Sequence, residues 1–308
     1  MCSEARKEGS EKPEDRELVL RLVDGGASVV GAASGTGIGA LLAGLPGAVA
    51  GSALGAAIGE ILREVGGDVA RRLLAPREQQ RIGAVIGVAA DRVLQRLSDG
   101  EQPRADGFIA KGTLSSRSAA AETLEGAILV ARSEHEERKI EFLGRLYASL
   151  LFDASVDRAQ ANRLVRLAES LSYSQLCALA LYSPRRALIS ELPDKSYIGA
   201  LPTPDVVSAL AELYELMDKR LLQHSSMVLS SGNTALGPPK VFQEISPSRI
   251  SLSATGMQSH YLMELEHIPD TDVERLFNIL SLDCGVEGES DGLAVDSTDQ
   301  QREEPPYG

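Results

Sequence analysis

Apolar residues recur at helical spacing along most of this chain. Ile82, Val85, Ile86, Ala89, Val93 and Leu97 share one face of a helix that Pro76 opens and Asp99-Gly100 ends. A longer series, Leu124, Ile128, Ala131, His135, Phe142, Leu146 and Leu150, predicts one continuous helix from Ser118 to about Leu151, with SEHEERK at 133–139 on its polar side. Asp157 and Gln160 form a capping-box pattern ahead of Ala161, Leu164, Val165, Ala168 and Leu171, and SYSQLCALALYS follows as the next helix. Thr203-Pro204-Asp205 caps VVSALAELYELMDKRLL, and Thr271 with Glu274 opens TDVERLFNILSL. Residues 101–117 mix Pro, Gly and Ser without a period and read as the boundary between two halves.

One stretch departs from this pattern. Residues 25–59 contain no charged side chain, although 24% of the chain is charged, and they include eleven Gly and ten Ala. Gly31, Gly35 and Gly39 recur every fourth residue, and after Leu45-Pro46-Gly47 the series resumes as Gly47, Gly51, Gly55 and Gly59. On a helix such spacing lines one face, so each limb carries a groove floored by backbone. Glycine costs a water-exposed helix about 1 kcal/mol per residue relative to Ala, and close packing along small-xxx-small faces offsets that cost in a membrane or a tight oligomer. The pattern predicts a glycine-zipper helical hairpin that turns at Pro46-Gly47 and inserts into a membrane conditionally or as an oligomer. A stable transmembrane hairpin and a Gly/Ala-rich hairpin buried inside a soluble protein or oligomer are the alternatives. Limb 26–45 has about the length of a bilayer span, whereas the second limb meets Glu60 early. Arg63, Arg71 and Arg72 then stand where anionic headgroups would be, on a helix of mixed charge.

Candidate chemistry is sparse. Gly31, Gly35 and Gly37 match the nucleotide turn of short-chain dehydrogenases, but a second glycine series follows, and no Tyr has a Lys four residues on. No Lys lies between Arg21 and Lys111, which excludes a phosphate-binding loop of the Walker type within that stretch. His135 begins half of a zinc-protease motif whose second His position is Lys139. His135, His224, His260 and His267 fall in no catalytic spacing, and Cys2, Cys177 and Cys284 are too far apart for a metal site. No catalytic residue, cofactor or metal is expected.

Composition adds three points. The chain lacks Trp and is only 4% aromatic, so its core is aliphatic. The net charge of −13 comes mostly from residues 283–308, where eight acids face one Arg, and this acidic tail is expected to be disordered. Residues 1–24 read as a solvated arm rather than a secretory signal, and the cysteine usage fits a reducing cytoplasm with inner-membrane association through the hairpin.

Two resemblances follow from these motifs. The long helix with a Glu-rich middle, FLGRLYASLLFDAS, and a Leu-Ser step before QLCALAL, over roughly 118–182, resembles the Abi-alpha group of bacterial abortive-infection proteins. That resemblance implies phage defence and transfers no catalytic residue. Residues 172–267 are similar to a winged-helix domain: SYSQLCALALYS as first helix, the helix after Thr203 as recognition helix, a long wing at 226–248, and SRISLSATGMQSHYLMEL as its end, with Ser253 and Gly256 at the Thr and Gly positions of the pattern. The candidate recognition helix carries Asp205, Glu212, Glu215 and Asp218 against Lys219 and Arg220, which disfavours nucleic acid and favours a protein partner.

The expected organisation is mainly α. It comprises an arm at 1–24, the Gly/Ala-rich hairpin at 25–75, a helix and linker at 76–117, and a central helical domain at 118–171. A winged-helix-like α+β domain at 172–282 and the acidic tail at 283–308 complete it. The expected function is a non-enzymatic, homo-oligomeric, membrane-active effector of abortive infection. A cytoplasmic winged-helix regulator or protein-interaction module is the alternative.

Overall fold

The computed structural model describes residues 53–70, 75–110, 117–192, 194, 202–224 and 245–282. The arm, most of the glycine hairpin (Gly31, Gly35, Gly39, Gly47 and Gly51 among it), Arg71, Arg72, most of the wing and the acidic tail lie outside the described residues.

The described chain is mainly helical. Its order is α1 (Ala53–Ala70), α2 (Pro76–Ser98), α3 (Ala119–Ser133), α4 (Lys139–Leu150), α5 (Arg158–Ser170), α6 (Tyr173–Leu181), α7 (Pro204–Asp218), β1 (Leu222–His224), β2 (Ile250–Leu252), α8 (Ala254–Met263) and α9 (Asp270–Ser281). The strands form one antiparallel pair, with Leu222 opposite Leu252 and His224 opposite Ile250.

A single aliphatic core runs from Ile58 in α1 to Leu280 in α9, so the N-terminal helices and the last elements share one interior. The apolar stripe of α2 packs chiefly on α4, and α1 lies against α2 and α3. Gly144 sets the α2–α4 distance: a Cβ there would meet Val88 Cβ at 2.8 Å and the Val85 carbonyl oxygen at 2.9 Å. Any side chain at 144 would wedge the two helices apart. Residues 101–110 pack onto the same body. Phe108 and Ile109 are buried, and buried Arg104 donates to the Leu150 carbonyl, pairs with Asp106 and stacks on Phe108.

The continuous helix expected from Ser118 to Leu151 is two helices, and Glu134 is the reason. Its backbone turns extended at the end of α3, while its carboxylate accepts hydrogen bonds from the His135 and Glu136 N–H groups at 2.9 Å each. Those N–H groups are thereby diverted from the helical ladder. The period slips with them, and His135, expected on the apolar face, has a side chain 90% exposed.

Two other boundaries differ from the sequence pattern. The helix after Thr203 stops at Asp218; Arg220 adopts φ 59°, and the Leu-Leu step expected to close the helix instead places Leu222 in β1. The last helix begins at Asp270 rather than after Thr271, because Pro269 presets the turn and its carbonyl accepts from the Asp272 N–H. By contrast, Asp157–Gln160 and Ser172–Gln175 form the reciprocal capping boxes that open α5 and α6.

Candidate functional site

Among the described residues, the largest concentration of buried charge lies where the end of α8 meets α2 and α4. Arg92 and Arg96 are one turn apart on α2, and Arg145 and Ser149 are one turn apart on α4. Because Gly144 lets the two helices approach closely, both polar turns border the same point. Glu264 fills that point, with a side chain only 3% exposed.

One oxygen of Glu264 accepts from Arg92 Nε at 2.8 Å and Arg96 Nη2 at 3.2 Å, and the other accepts from Arg145 Nη1 at 3.0 Å. The Ser149 hydroxyl stands 3.5 Å from the first oxygen. Around the rim, Glu141 pairs with Arg145, Glu101 lies 3.5 Å from Arg96, and Phe152 lies under the Arg96 guanidinium. Burial pushes the Glu264 carboxyl toward its neutral form. Hydrogen bonds and charge from Arg92 and Arg145 outweigh that push and hold it below the usual carboxylate range. Glu264 caps α8 at φ 53°, the left-handed region that non-glycine residues seldom occupy. Arg96 Nε is buried without a hydrogen-bond partner among the described residues.

A second buried carboxylate, Glu134, is satisfied locally. Besides capping two backbone N–H groups it pairs with Lys139, whose side chain is 4% exposed and also donates to the Glu169 carbonyl. Burial raises the Glu134 carboxyl, and Lys139 with the two N–H groups brings it below its usual value.

A third group ties α9 to α6. Tyr173 donates its hydroxyl to Asp272 at 2.8 Å, Arg138 pairs with Asp272 at 2.9 Å while lying over the Tyr173 ring, and burial pushes the neighbouring Cys177 thiol up to about 12. A thiol so held is a packing group rather than a nucleophile. Arg186 clasps the loop before α9 through Asp270 and the carbonyls of Glu266 and Ile268.

Most of the site residues expected from sequence, Gly31, Gly35, Gly39, Gly47, Gly51, Arg71 and Arg72, lie outside the described residues. Of the seven zipper glycines, Gly55 and Gly59 are described, and both are buried in α1. Arg63 is exposed on α1 and paired with Glu60. His260 is buried, and burial depresses its protonation, whereas His135 is exposed. Among the described residues no group of His, Cys, Asp and Glu could hold a metal, and no helix is long and apolar enough to cross a membrane.

Sequence reasoning missed the Glu264 cluster, although one signal was present. The stripe Val85, Ala89, Val93 continues by helical spacing to Arg96, and Glu264 stands between the buried residues Met263 and Leu265. A cation and an anion that interrupt apolar faces each require a buried partner. No protein-family model, curated protein or solved structure matches the chain.

Proposed function

We propose that this protein is a non-enzymatic, homo-oligomeric effector of the abortive-infection kind, in which the charge-free residues 25–59 act at a lipid surface and the helical body holds them. The observation that carries this reading is α1. It takes up the last glycines of the run, Gly55 and Gly59, and continues without interruption into Ile58, Ile61, Leu62 and Val65, which are buried in the common core. Residues 53–59 of the charge-free run thus belong to a helix that is packed into the body. In this reading the far end of the zipper serves as an anchor, and the acting part is the run before Ala53.

The test is release of dye from anionic vesicles by the full-length chain, compared with a chain lacking 25–52 and with Gly35→Leu/Gly39→Leu, which leaves α1 untouched. Full-length protein is expected to release dye. The deletion should stay folded and inactive, and the double variant should bind vesicles without leakage. Equal release by all three would sink the proposal.

The C-terminal part fits a winged-helix-like protein-interaction module within the same protein. That reading is supported by β2 running directly into α8 through the Ser253 cap, and by Gly256, where a Cβ would sit 2.0 Å from the Leu221 carbonyl oxygen. Glu212 and Glu215 of α7 accept hydrogen bonds from Ser172 and Gln175 of α6, so this acidic side of the helix is engaged within the fold. Asp205, Glu215 and Asp218 remain exposed on α7, an acidic surface that suits a protein partner better than DNA. Gel-shift binding abolished by replacing Lys219 and Arg220 would reverse the preference.

A further inference from the structure

Three guanidinium groups converge on a single carboxylate in the Glu264 cluster, and the hydrogen-bond balance is uneven. A carboxylate accepts only at two oxygens, whereas each guanidinium presents a fork of N–H donors. Arg92 and Arg145 each spend part of their fork on Gln95 and Glu141, and Arg96 reaches Glu101 only at 3.5 Å. Arg96 Nε, in a side chain 8% exposed, has no acceptor among the described residues. This is a donor-rich hollow filled by an acceptor-poor occupant.

The occupant is also conditionally held. Glu264 belongs neither to α2 nor to α4, which build the hollow; it is delivered from the end of α8 by a backbone in the left-handed region. On the rim, the Arg92 and Arg145 side chains remain 21% and 17% exposed, so the cluster borders solvent at two of its three arginines.

We propose that Arg92, Arg96, Arg145 and Ser149 form an anion-binding site in which Glu264 is an intramolecular stand-in, and that the ligand class that competes with it is a phosphoryl dianion. A phosphoryl group supplies the extra acceptor oxygen that the carboxylate lacks, and guanidinium forks match its geometry. Its entry displaces Glu264 and with it the junction between α8 and the α2–α4 pair. The inference stands independently of any action on lipid by residues 25–59.

The test is calorimetric titration of full-length protein with pyrophosphate at constant ionic strength, with acetate as the carboxylate control. Glu264→Gln removes the competing charge and is expected to bind pyrophosphate at least tenfold more tightly than the parent chain, with acetate far weaker. Adding Arg96→Met to Glu264→Gln is expected to reverse the gain at least tenfold. If Glu264→Gln does not fold alone, the site predicts that pyrophosphate restores its helical circular dichroism and that matched NaCl does not. Parallel arms with ATP and with phosphatidic-acid vesicles separate a soluble phosphoryl ligand from a lipid headgroup, and Arg96-dependent binding in either arm supports the site. Equal affinity in parent and variant, binding that ignores Arg96→Met, or no response to pyrophosphate in any form of the protein overturns it.

Discussion

Glu134 and Glu264 are both buried carboxylates held below their usual titration range, yet they are built in opposite ways. Glu134 finds all its partners within a few residues, apart from the Glu169 carbonyl that its partner Lys139 reaches. Glu264 pairs with Arg145 and Arg92, which precede it by 119 and 172 residues. The first shapes a local turn, and the second fastens distant parts of the chain. Burial alone therefore does not say what a buried charge is for; the sequence distance of its partners does.

The sharpest way to break the comparison is to neutralise each acid in turn. Glu264→Gln removes the charge that three guanidiniums share, leaving Arg145 with Glu141 and Arg92 with Gln95, and should cost about 3–5 kcal/mol of stability by urea denaturation, the range expected when one partner of a buried ionic group is removed. Glu134→Gln strands one ammonium and keeps an oxygen for the backbone N–H groups, so a loss of about 1–3 kcal/mol is expected. Equal losses would mean that Glu264 is no more of a fastening than Glu134.

Gly144→Ala should act on one side of the comparison only. It forces apart the helices that carry Arg92 and Arg145, for about 1–3 kcal/mol, without approaching Glu134. A double variant with Glu264→Gln should then lose less than the sum of the two single losses, since both weaken the same junction. Full additivity would disconnect the glycine contact from the cluster.

Acid separates the groups by pH window. Both glutamates have folded values below 4.5, so their stabilisation is complete above that value and is lost as pH falls through the depressed folded values. His260, also depressed, contributes in a less acidic window: its neutral form is favoured by burial, so stability falls as pH drops below 6.5. Unfolding midpoints measured from pH 7.5 downward should show a shallow first decline that His260→Leu reduces, since burial also depresses His224 in the same window. A steeper second decline should be reduced by Glu264→Gln.

The existence of most helices was legible in the sequence because it rests on short-range signals. Pro76, Asp157–Gln160, Ser172–Gln175 and Thr203-Pro204 each open a helix where the spacing predicts one. The break at Glu134 was not legible, because the apolar series on either side fits one helical phase and only the capping carboxylate interrupts it. The Leu-Leu step after Lys219 misled for a similar reason: two apolar residues suit a helix end or a strand, and the left-handed turn at Arg220 decides between them. The cluster itself was hidden by distance. Arg92, Arg145 and Glu264 look like ordinary surface charges until α2, α4 and α8 are brought together.

That distance also sets a timetable for synthesis. When α2 and α4 leave the ribosome, Arg92, Arg96 and Arg145 emerge without Glu264, and at ordinary translation speeds the 119 residues from Arg145 to Glu264 correspond to roughly six to twenty-four seconds. During that interval the cluster holds Glu101 and Glu141 but lacks the carboxylate that joins its three arginines. Arrival of Glu264 completes the cluster, so the end of α8 is fastened to the α2–α4 pair only as a late step in the making of the chain.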